Sequence, residues 1–367
     1  MSQEAPFLEE KQSHKSRAFF LTLLKITGAG IGMIALLAVT FLLLGVSPRV
    51  GLSALWVGAF GDADGHLYPL SETLVKTTPL LLTGLGVVVA WRGGMFSVGA
   101  EGQLIVGATA GAAVGLWGSH LPGFLITLLV LSAGAGAGAA WGYLAGWLRV
   151  RRNVQEVIST IMLNYIALSL LGALVEGPLQ EKTHRVSQSN PLPNSALLPH
   201  LFPRTWTNEI QTRLHSGILI AVFMAFVVMV YLFYTAGGFK LRVVGQNPEA
   251  ARAARYEVDA LRLRAMLFSG ALCGLAGATE LLGITGRLYK DFSPGWGYTA
   301  IPVALLGGLH PLGTLLSAIF FGALTAGTGN LSRFSNVSSV LVNVIQAVAV
   351  LAFVGIRAFR NRQREGE

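Results

Sequence analysis

One cysteine, Cys273, stands in 367 residues, so the chain has no intrachain disulfide and no cysteine-based metal cluster. It falls inside an apolar run, which makes it a small core residue. Charge is scarce too. Only 12% of the residues are Asp, Glu, Lys or Arg, against roughly a quarter in a soluble domain. Acidic residues are the rarer sign, 18 against 27 basic ones. No Gly-x-x-x-x-Gly-Lys-[Ser/Thr] loop occurs: the lysines followed by Ser or Thr are Lys15, Lys76 and Lys182, and none is preceded by Gly. There is no His-Glu-x-x-His, the seven histidines are scattered, and no nucleophile elbow is found. Nothing in the sequence supports ATP held in a P-loop, a metal centre or a catalytic residue on this chain.

Apolar residues dominate instead, at 53% with a mean hydropathy of +0.59. This is the composition of a polytopic membrane protein. The net charge of +9 does not argue for nucleic acid, because the basic residues are spread between apolar spans and form no single patch with interleaved aromatics. A span needs about 20 mostly apolar residues. The pattern predicts an all-α membrane protein with about ten transmembrane helices, near 19–46, 73–91, 95–117, 123–148, 155–175, 216–235, 265–284, 298–310, 312–328 and 337–356. The first is too long for a signal peptide's apolar region of about 7 to 15 residues and lacks a small-x-small cleavage site, so it reads as a retained span.

With both termini in the cytoplasm, 17 basic residues fall on the inner side and 9 on the outer, as the positive-inside rule requires. The expected organisation is a cytoplasmic tail at 1–18, one membrane domain at 19–356 and a second tail at 357–367. An outer loop at 176–216 carries five prolines and belongs to the same domain.

Between two apolar spans, 237–264 is a polar, basic cytoplasmic segment. Asn247 suits an N-cap, Pro248 the first helical position and Glu249 the positive end of the helix dipole. The spacing predicts a helix over 248–258, with Ala250, Ala251, Ala253, Ala254 and Val258 on one face and Arg252, Arg255 and Tyr256 opposite. Such a helix serves either as a juxtamembrane linker touching lipid phosphates or as a docking element for a cytosolic partner.

Gly134, Gly138, Gly142 and Gly146 recur every four residues, with Gly136 between them, and Gly270 and Gly274 repeat the device. Grooves of this kind pack helices. Phe96-Ser97-Val98-Gly99 and Phe292-Ser293-Pro294-Gly295 open Gly-rich segments from opposite sides of the membrane, the pattern of an inverted repeat. Glu101 and Glu280 are carboxylates in apolar surroundings, where burial is costly. Each serves either as a functional group or as a structural pin held by backbone N–H groups near glycines. Asn164 and Tyr165 are similar cases. Phe96, Gln103, Asn164 and Tyr165, with Glu101 and Glu280, are the candidates for a substrate path.

The runs at 77–108, 153–167, 244–256, 269–280 and 297–324 resemble the permease subunits of bacterial ABC importers, in the branch that includes ribose and branched-chain amino acid permeases. The nucleoside and simple-sugar group is the most similar. The most distinctive elements are Gly-Ala-Glu-Gly-Gln at 99–103 and Gly-x-Asn-x-x-Ala-Ala at 245–251. In that family the second element is the coupling helix, seated in a cleft of the ATP-binding subunit. The resemblance carries Gly245, Asn247, Ala250 and Ala251 into that role, with Arg252 and Arg255 beside them. Family members continue with an Ala-Gly-Ile-like turn, where this chain has Ala254-Arg255-Tyr256-Glu257.

The resemblance further implies a bacterial inner-membrane location and ATP and Mg on a partner ATPase, with no cofactor on this chain. It implies a second permease in a heterodimer or homodimer, an extracytoplasmic solute-binding protein and contact with membrane lipid. The competing functions are a secondary transporter driven by an ion gradient and a membrane-embedded enzyme using Glu101 or Glu280 as acid or base.

Overall fold

The computed structural model describes residues 47–61, 68–182, 186–201 and 212–334, with isolated positions between 35 and 42 and at 347. Among the described residues the regular elements are helical, and extended pairing is confined to isolated bridges. The contacts divide into two units, Val57–Gly327 and a second made of Met1–Trp56 with Thr328–Glu367.

Helix α1 (Pro48–Phe60) begins in the second unit. The Ser47 hydroxyl accepts from the Val50 N–H at 3.4 Å and Pro48 takes the first helical position, a start signal that was legible in the sequence. The expected spans did not include it.

The larger unit holds α2 (Tyr68–Arg92), α3 (Ala100–Trp117), α4 (Gly123–Arg152), α5 (Glu156–Val175), α6 (Gly217–Tyr234), α7 (Ala236–Gln246), α8 (Pro248–Ala253), α9 (Val258–Glu280), α10 (Trp296–Leu306) and, as far as Gly327, α11 (Pro311–Phe334). Each expected span between 73 and 328 has a helix. The spans at 19–46 and 337–356 lie largely outside the described residues. Among the described residues six helices are long and apolar enough to cross a membrane: α2, α4, α5, α6, α9 extended to Thr285, and α11 as far as Gly329. Two of the expected spans are not among them. In α3, Glu101, Gln103 and four glycines dilute the apolar character, and α10 has only 11 residues.

Helix α9 is the axis, packing on α4, α2 and α3, while α2 is almost wholly enclosed between α9, α10 and α6. Enclosure requires α2 to bury its hydroxyls with partners. Thr77, Thr78 and Thr83 donate to the carbonyls of Thr73, Leu74 and Pro79, one turn back, at 2.7, 3.1 and 2.6 Å.

The close approach of α4 to α9 is made by glycine. A Cβ on Gly274 would strike the Gly134 carbonyl, one on Gly138 the Gly270 carbonyl, and one on Gly107 of α3 the Gly274 backbone. The groove packs helices, as its spacing predicts. Gly136, off this face, has nothing within 4 Å of its Cβ position. Cys273 is buried beside it all, with Gly86 of α2 leaving room for its Sγ.

On the outer side α9 ends in a π-helical turn, Leu281–Thr285, closed by Gly286 at φ 61°. The described part of the outer loop lies across it. Ser189 N–H donates to Leu288 O at 2.8 Å, Leu192 N–H to Gly286 O at 2.8 Å and Leu198 N–H to Leu282 O at 3.0 Å. The prolines thus mark an ordered strap whose backbone groups are satisfied by the turn beneath. His215 is buried where the strap enters α6, its Nδ1 accepting from the Gly217 N–H at 3.1 Å.

Two outcomes follow. Gly274→Ala should destabilise the unit by about 1–3 kcal/mol through overpacking and lower its melting temperature in detergent, while Gly136→Ala leaves the melt unchanged or slightly raised. Burial, then His200, pushes the His215 pKa from 6.5 down to about 4. The folded state therefore binds fewer protons than the unfolded state between these values. Stability is complete above pH 6.5 and falls as the pH drops through the window, by about 2 kcal/mol at pH 5. Melting temperatures measured across that range should fall in the wild type and flatten in His215→Gln.

Candidate functional site

Two short polar segments deliver helix N-termini into the same region. Residues 93–99 lead into α3 and residues 287–295 lead into α10. Ser97 Oγ accepts from the Gly99 N–H at 3.1 Å, and Ser293 Oγ accepts from the N–H groups of Gly295 and Trp296 at 3.3 Å each. The two Phe-Ser-x-Gly segments therefore close the same local turn. Gly295 takes φ 92°, a conformation that glycine adopts without strain.

The N-termini of α3 and α10 meet. Gly297 lies against the Ala100–Glu101 backbone so closely that a Cβ there would collide with it. Two positive helix ends at this separation call for an anion. Glu101 supplies it, its Oε2 accepting from the Gly297 N–H at 2.7 Å. Ser293 and the backbone N–H groups of Gly295 and Tyr298 also face the carboxylate. The Glu101 carboxylate is thus held by backbone N–H groups near glycines.

Asn164 on α5 does the matching work for α3. Its Oδ1 accepts from the Gly102 N–H at 2.9 Å, and its Nδ2 donates to Val98 O at 3.0 Å and to Tyr298 Oη at 3.3 Å. Thr160, one turn earlier, accepts from the Val98 N–H at 3.2 Å. Buried Glu101 and Asn164 thus form one polar junction with Ser293 and the more exposed Tyr298. Gln103 is buried two residues along α3, its amide nitrogen beside Gly142 of α4, and its Oε1 has no partner among the described residues.

The other candidates lie elsewhere. Tyr165 and Phe96 are 61% and 53% exposed, so they present rings on the outside of the unit instead of lining the junction. Glu280 is buried near the outer side, its Oε2 unpartnered among the described residues, within electrostatic reach of Lys76 and Arg213. Arg213 is held by both carboxylate oxygens of Glu72 at 2.9 and 2.6 Å, and Lys76 lies 5.4 Å from the Trp296 ring centre. Tyr298, Ser293 and Thr160 were not among the candidate site residues, Ser293 having its place only in the repeat pattern. The Phe-Ser-x-Gly similarity was the available signal for Ser293.

In the basic segment at 237–264, Asn247 Oδ1 accepts from the N–H groups of Glu249 and Ala250 at 3.0 Å each, and α8 starts at Pro248 as expected. It ends at Ala253, not 258. Tyr256 N–H donates to Ala251 O and Arg255 N–H to Arg252 O, both at 2.9 Å, with Arg255 at φ 60°. This is a Schellman closure, in which glycine is the usual left-handed residue. The early stop changes the faces. Ala251 is fully buried, whereas Ala250, Ala253, Ala254, Arg252 and Arg255 are exposed.

Gly245, at the end of α7, touches the carbonyl of Arg92 with no room for a side chain, and neighbours Gly94 at φ 75°. The segment is thereby mounted on the turn that leads to Ser97 and Glu101. A groove of about 560 Å³ runs beside it, between Val150 and Arg151 of α4 and Arg252, Tyr256 and Asp259.

Glu101→Gln should keep an acceptor for Gly297 and preserve the fold. Glu101→Leu leaves buried donors unmet at a cost of about 1–3 kcal/mol, seen as a lower melting temperature and less chain in the membrane fraction.

Residues 70–354 match the family model described as branched-chain amino acid transport system, permease component. The chain is 38% identical to the guanosine ABC transporter permease protein NupP of Bacillus subtilis, over 88% of this chain and 90% of that one. It is 34% identical to the glucose ABC transporter permease protein TsgB13 of Haloferax volcanii, over 93% and 88%. It is 30% identical to the nucleoside ABC transporter permease protein NupB of Lactococcus lactis, over 94% and 93%. No solved structure matches significantly. With its apolar helices and a match across most of its length, the chain belongs to the permease components of ABC transport systems, as a multi-pass membrane subunit and not an enzyme.

Proposed function

We propose that this permease imports a nucleoside or related simple-sugar solute, and that α8 is where a separate ATPase, carrying ATP and Mg, drives it. The names of NupP, NupB and TsgB13 point to solutes that share a hydroxylated sugar ring. The observation that carries the coupling role is the construction of α8. Six residues form a helix capped at both ends, by Asn247 and by Arg255 at positive φ, with exposed Ala250, Ala253 and Ala254 beside Arg252 and Arg255. A non-glycine residue held in that conformation is costly and persists where the surroundings fix it. A small, smooth surface rimmed by guanidinium groups, next to an open groove, suits insertion into a cleft on another protein.

Gly245 and Ala251 have the inward role: they fasten the segment to the membrane helices. Asn247 shapes it. Ala250, Arg252 and Arg255 face the partner. ATP-driven movement of the segment acts on the Arg92–Gly94 turn and so on the junction of Glu101 and Asn164. A ligand shifts such an equilibrium only through differential contacts with its states, so the energy enters where the ATPase touches.

The path runs between this chain and a second permease, a heterodimer by the Gly-Ala-Glu-Gly-Gln form, with a solute-binding protein at the outer strap. The exposed rings of Phe96, Tyr165 and Tyr298 provide apolar surface for a base or sugar face. The further spans at 19–46 and 337–356 and the inverted repeat belong to the same proposal, the repeat supported by the paired serine turns at Ser97 and Ser293.

The test is Ala250→Trp in the assembled transporter. Uptake of labelled nucleoside should fall at least tenfold while the melting temperature stays within about 2 °C of wild type, since Ala250 is exposed. Ala251→Trp should instead lower the melting temperature. Wild-type uptake by Ala250→Trp would remove α8 from the coupling role.

A further inference from the structure

At the inner end of α2 two arginines converge on one aromatic ring. The Arg242 guanidinium carbon lies 4.9 Å from the Phe233 ring centre and that of Arg92 lies 5.8 Å from it. His310 stacks on the same ring at 4.8 Å and 37°. Phe233 is at the end of α6, Arg242 is on α7, Arg92 closes α2, and His310 precedes α11, so four elements contribute.

The group is half-buried, and no acid balances it. The ion pairs of the described residues join Arg149 to Glu156, Arg213 to Glu72 and Lys290 to Glu176, all elsewhere. Arg92 spends one edge on the turn, donating from Nε to Leu309 O at 2.9 Å and from one terminal nitrogen to Gly308 O at 3.5 Å. These carbonyls fix its direction but leave its charge. Arg242 has a buried Nε–H without a partner among the described residues. Two like charges beside one another in a half-buried site are unfavourable, and an unmet buried donor adds to the cost. An anion with several acceptor oxygens removes both penalties.

The level in the membrane says which anion. Tyr234 and Phe239, on either side of the α6–α7 joint, are largely exposed, as aromatic side chains at a membrane interface are. The basic residues of 237–264 place this joint on the cytoplasmic side. Phosphodiester groups line that level, and basic pockets between helices on the cytoplasmic side take anionic headgroups. The guanidinium fork matches phosphate oxygens in pairs, and the Phe233 ring lets the guanidinium planes stack. We propose that Arg92, Arg242 and His310, backed by Phe233, form a binding site for the phosphate of an anionic phospholipid in the inner leaflet. The site goes beyond the transport reading and does not depend on the solute or on α8. A bound lipid here ties α7, the base of the coupling segment, to the ends of α2 and α6.

The test uses the full chain purified in mild detergent with the subunits that stay bound. Native mass spectrometry should find anionic phospholipid retained by wild type and about fivefold less retained by Arg242→Gln, the loss expected for one basic side chain near a lipid surface. Arg152→Gln, which removes an exposed charge at the end of α4, should retain it as wild type does. Arg242→Lys keeps the charge without the fork and should fall between, which keeps the test valid if the glutamine variant folds poorly.

In nanodiscs, phosphatidylglycerol should raise the melting temperature of wild type above its value in phosphatidylcholine, with that difference lost in Arg242→Gln. Equal lipid retention by wild type and Arg242→Gln would overturn the proposal. So would an equal rise produced by inorganic phosphate in phosphatidylcholine, which would make the ligand a soluble phosphate.

Discussion

A bilayer offers no water to a backbone, so a helix that starts inside one must find partners for its first N–H groups. This protein brings two helix N-termini face to face among its apolar helices. The Glu101 carboxylate, bonded to Gly297 at 2.7 Å, answers the positive end of α10, and Asn164, bonded to Gly102 at 2.9 Å, answers that of α3. Neither helix is among the six long and apolar enough to cross a membrane. Both are therefore held by their neighbours, and the long helices exist in part to enclose this pair.

Enclosure depends on close approach. The glycines of α4 and α9 bring two backbones together without side chains between them, and Gly107 brings α3 to the same line. Hydrophobic burial gives little drive for association in lipid, so contact of backbone with backbone is the main source of cohesion. Glycine also keeps the interface free of side chains that must repack during movement. The same residue serves at the cytoplasmic end, where Gly245 rests on Arg92.

Much of this was legible because it is periodic or local. The four-residue glycine repeat, the apolar spans between 73 and 328 as helices, and the Asn247-Pro248 start each rest on a few neighbouring residues, and each has its place in the structure. The end of α8 was not legible. Arg255 gives no sign in sequence of a left-handed conformation, so the helix was extended to 258 and Ala250 and Ala251 were put on one face. The partners of Glu101 were hidden for a different reason. Gly297 and Ser293 are nearly 200 residues away, and a carboxylate in an apolar segment looks the same whether it meets a solute or a helix end. The Phe-Ser-x-Gly similarity held the clue, since two segments that close the same turn present the same N–H groups. Phe96 and Tyr165 were grouped with Gln103 and Asn164 as rings and polar groups fit for a nucleoside, but helix α5 turns Tyr165 outward while turning Asn164 in.

The junction and the cytoplasmic segment are joined by contacts with no break. Gly245 lies on Arg92 and Gly94, Trp91 Nε1 donates to Ser97 O at 3.1 Å, Val98 is gripped by Thr160 and Asn164, and Asn164 reaches Tyr298 at the start of α10. Contiguity alone does not establish energetic coupling. It does limit how the parts can move. Gly245 leaves no slack at Arg92, so α7 and the end of α2 shift together or the contact breaks. Asn164 holds three partners from two segments, so a shift of Val98 relative to Tyr298 has to break one of its bonds. Under the coupling proposed for α8, a displacement is passed on in whole hydrogen bonds, the behaviour expected of a switch with discrete states rather than of a spring.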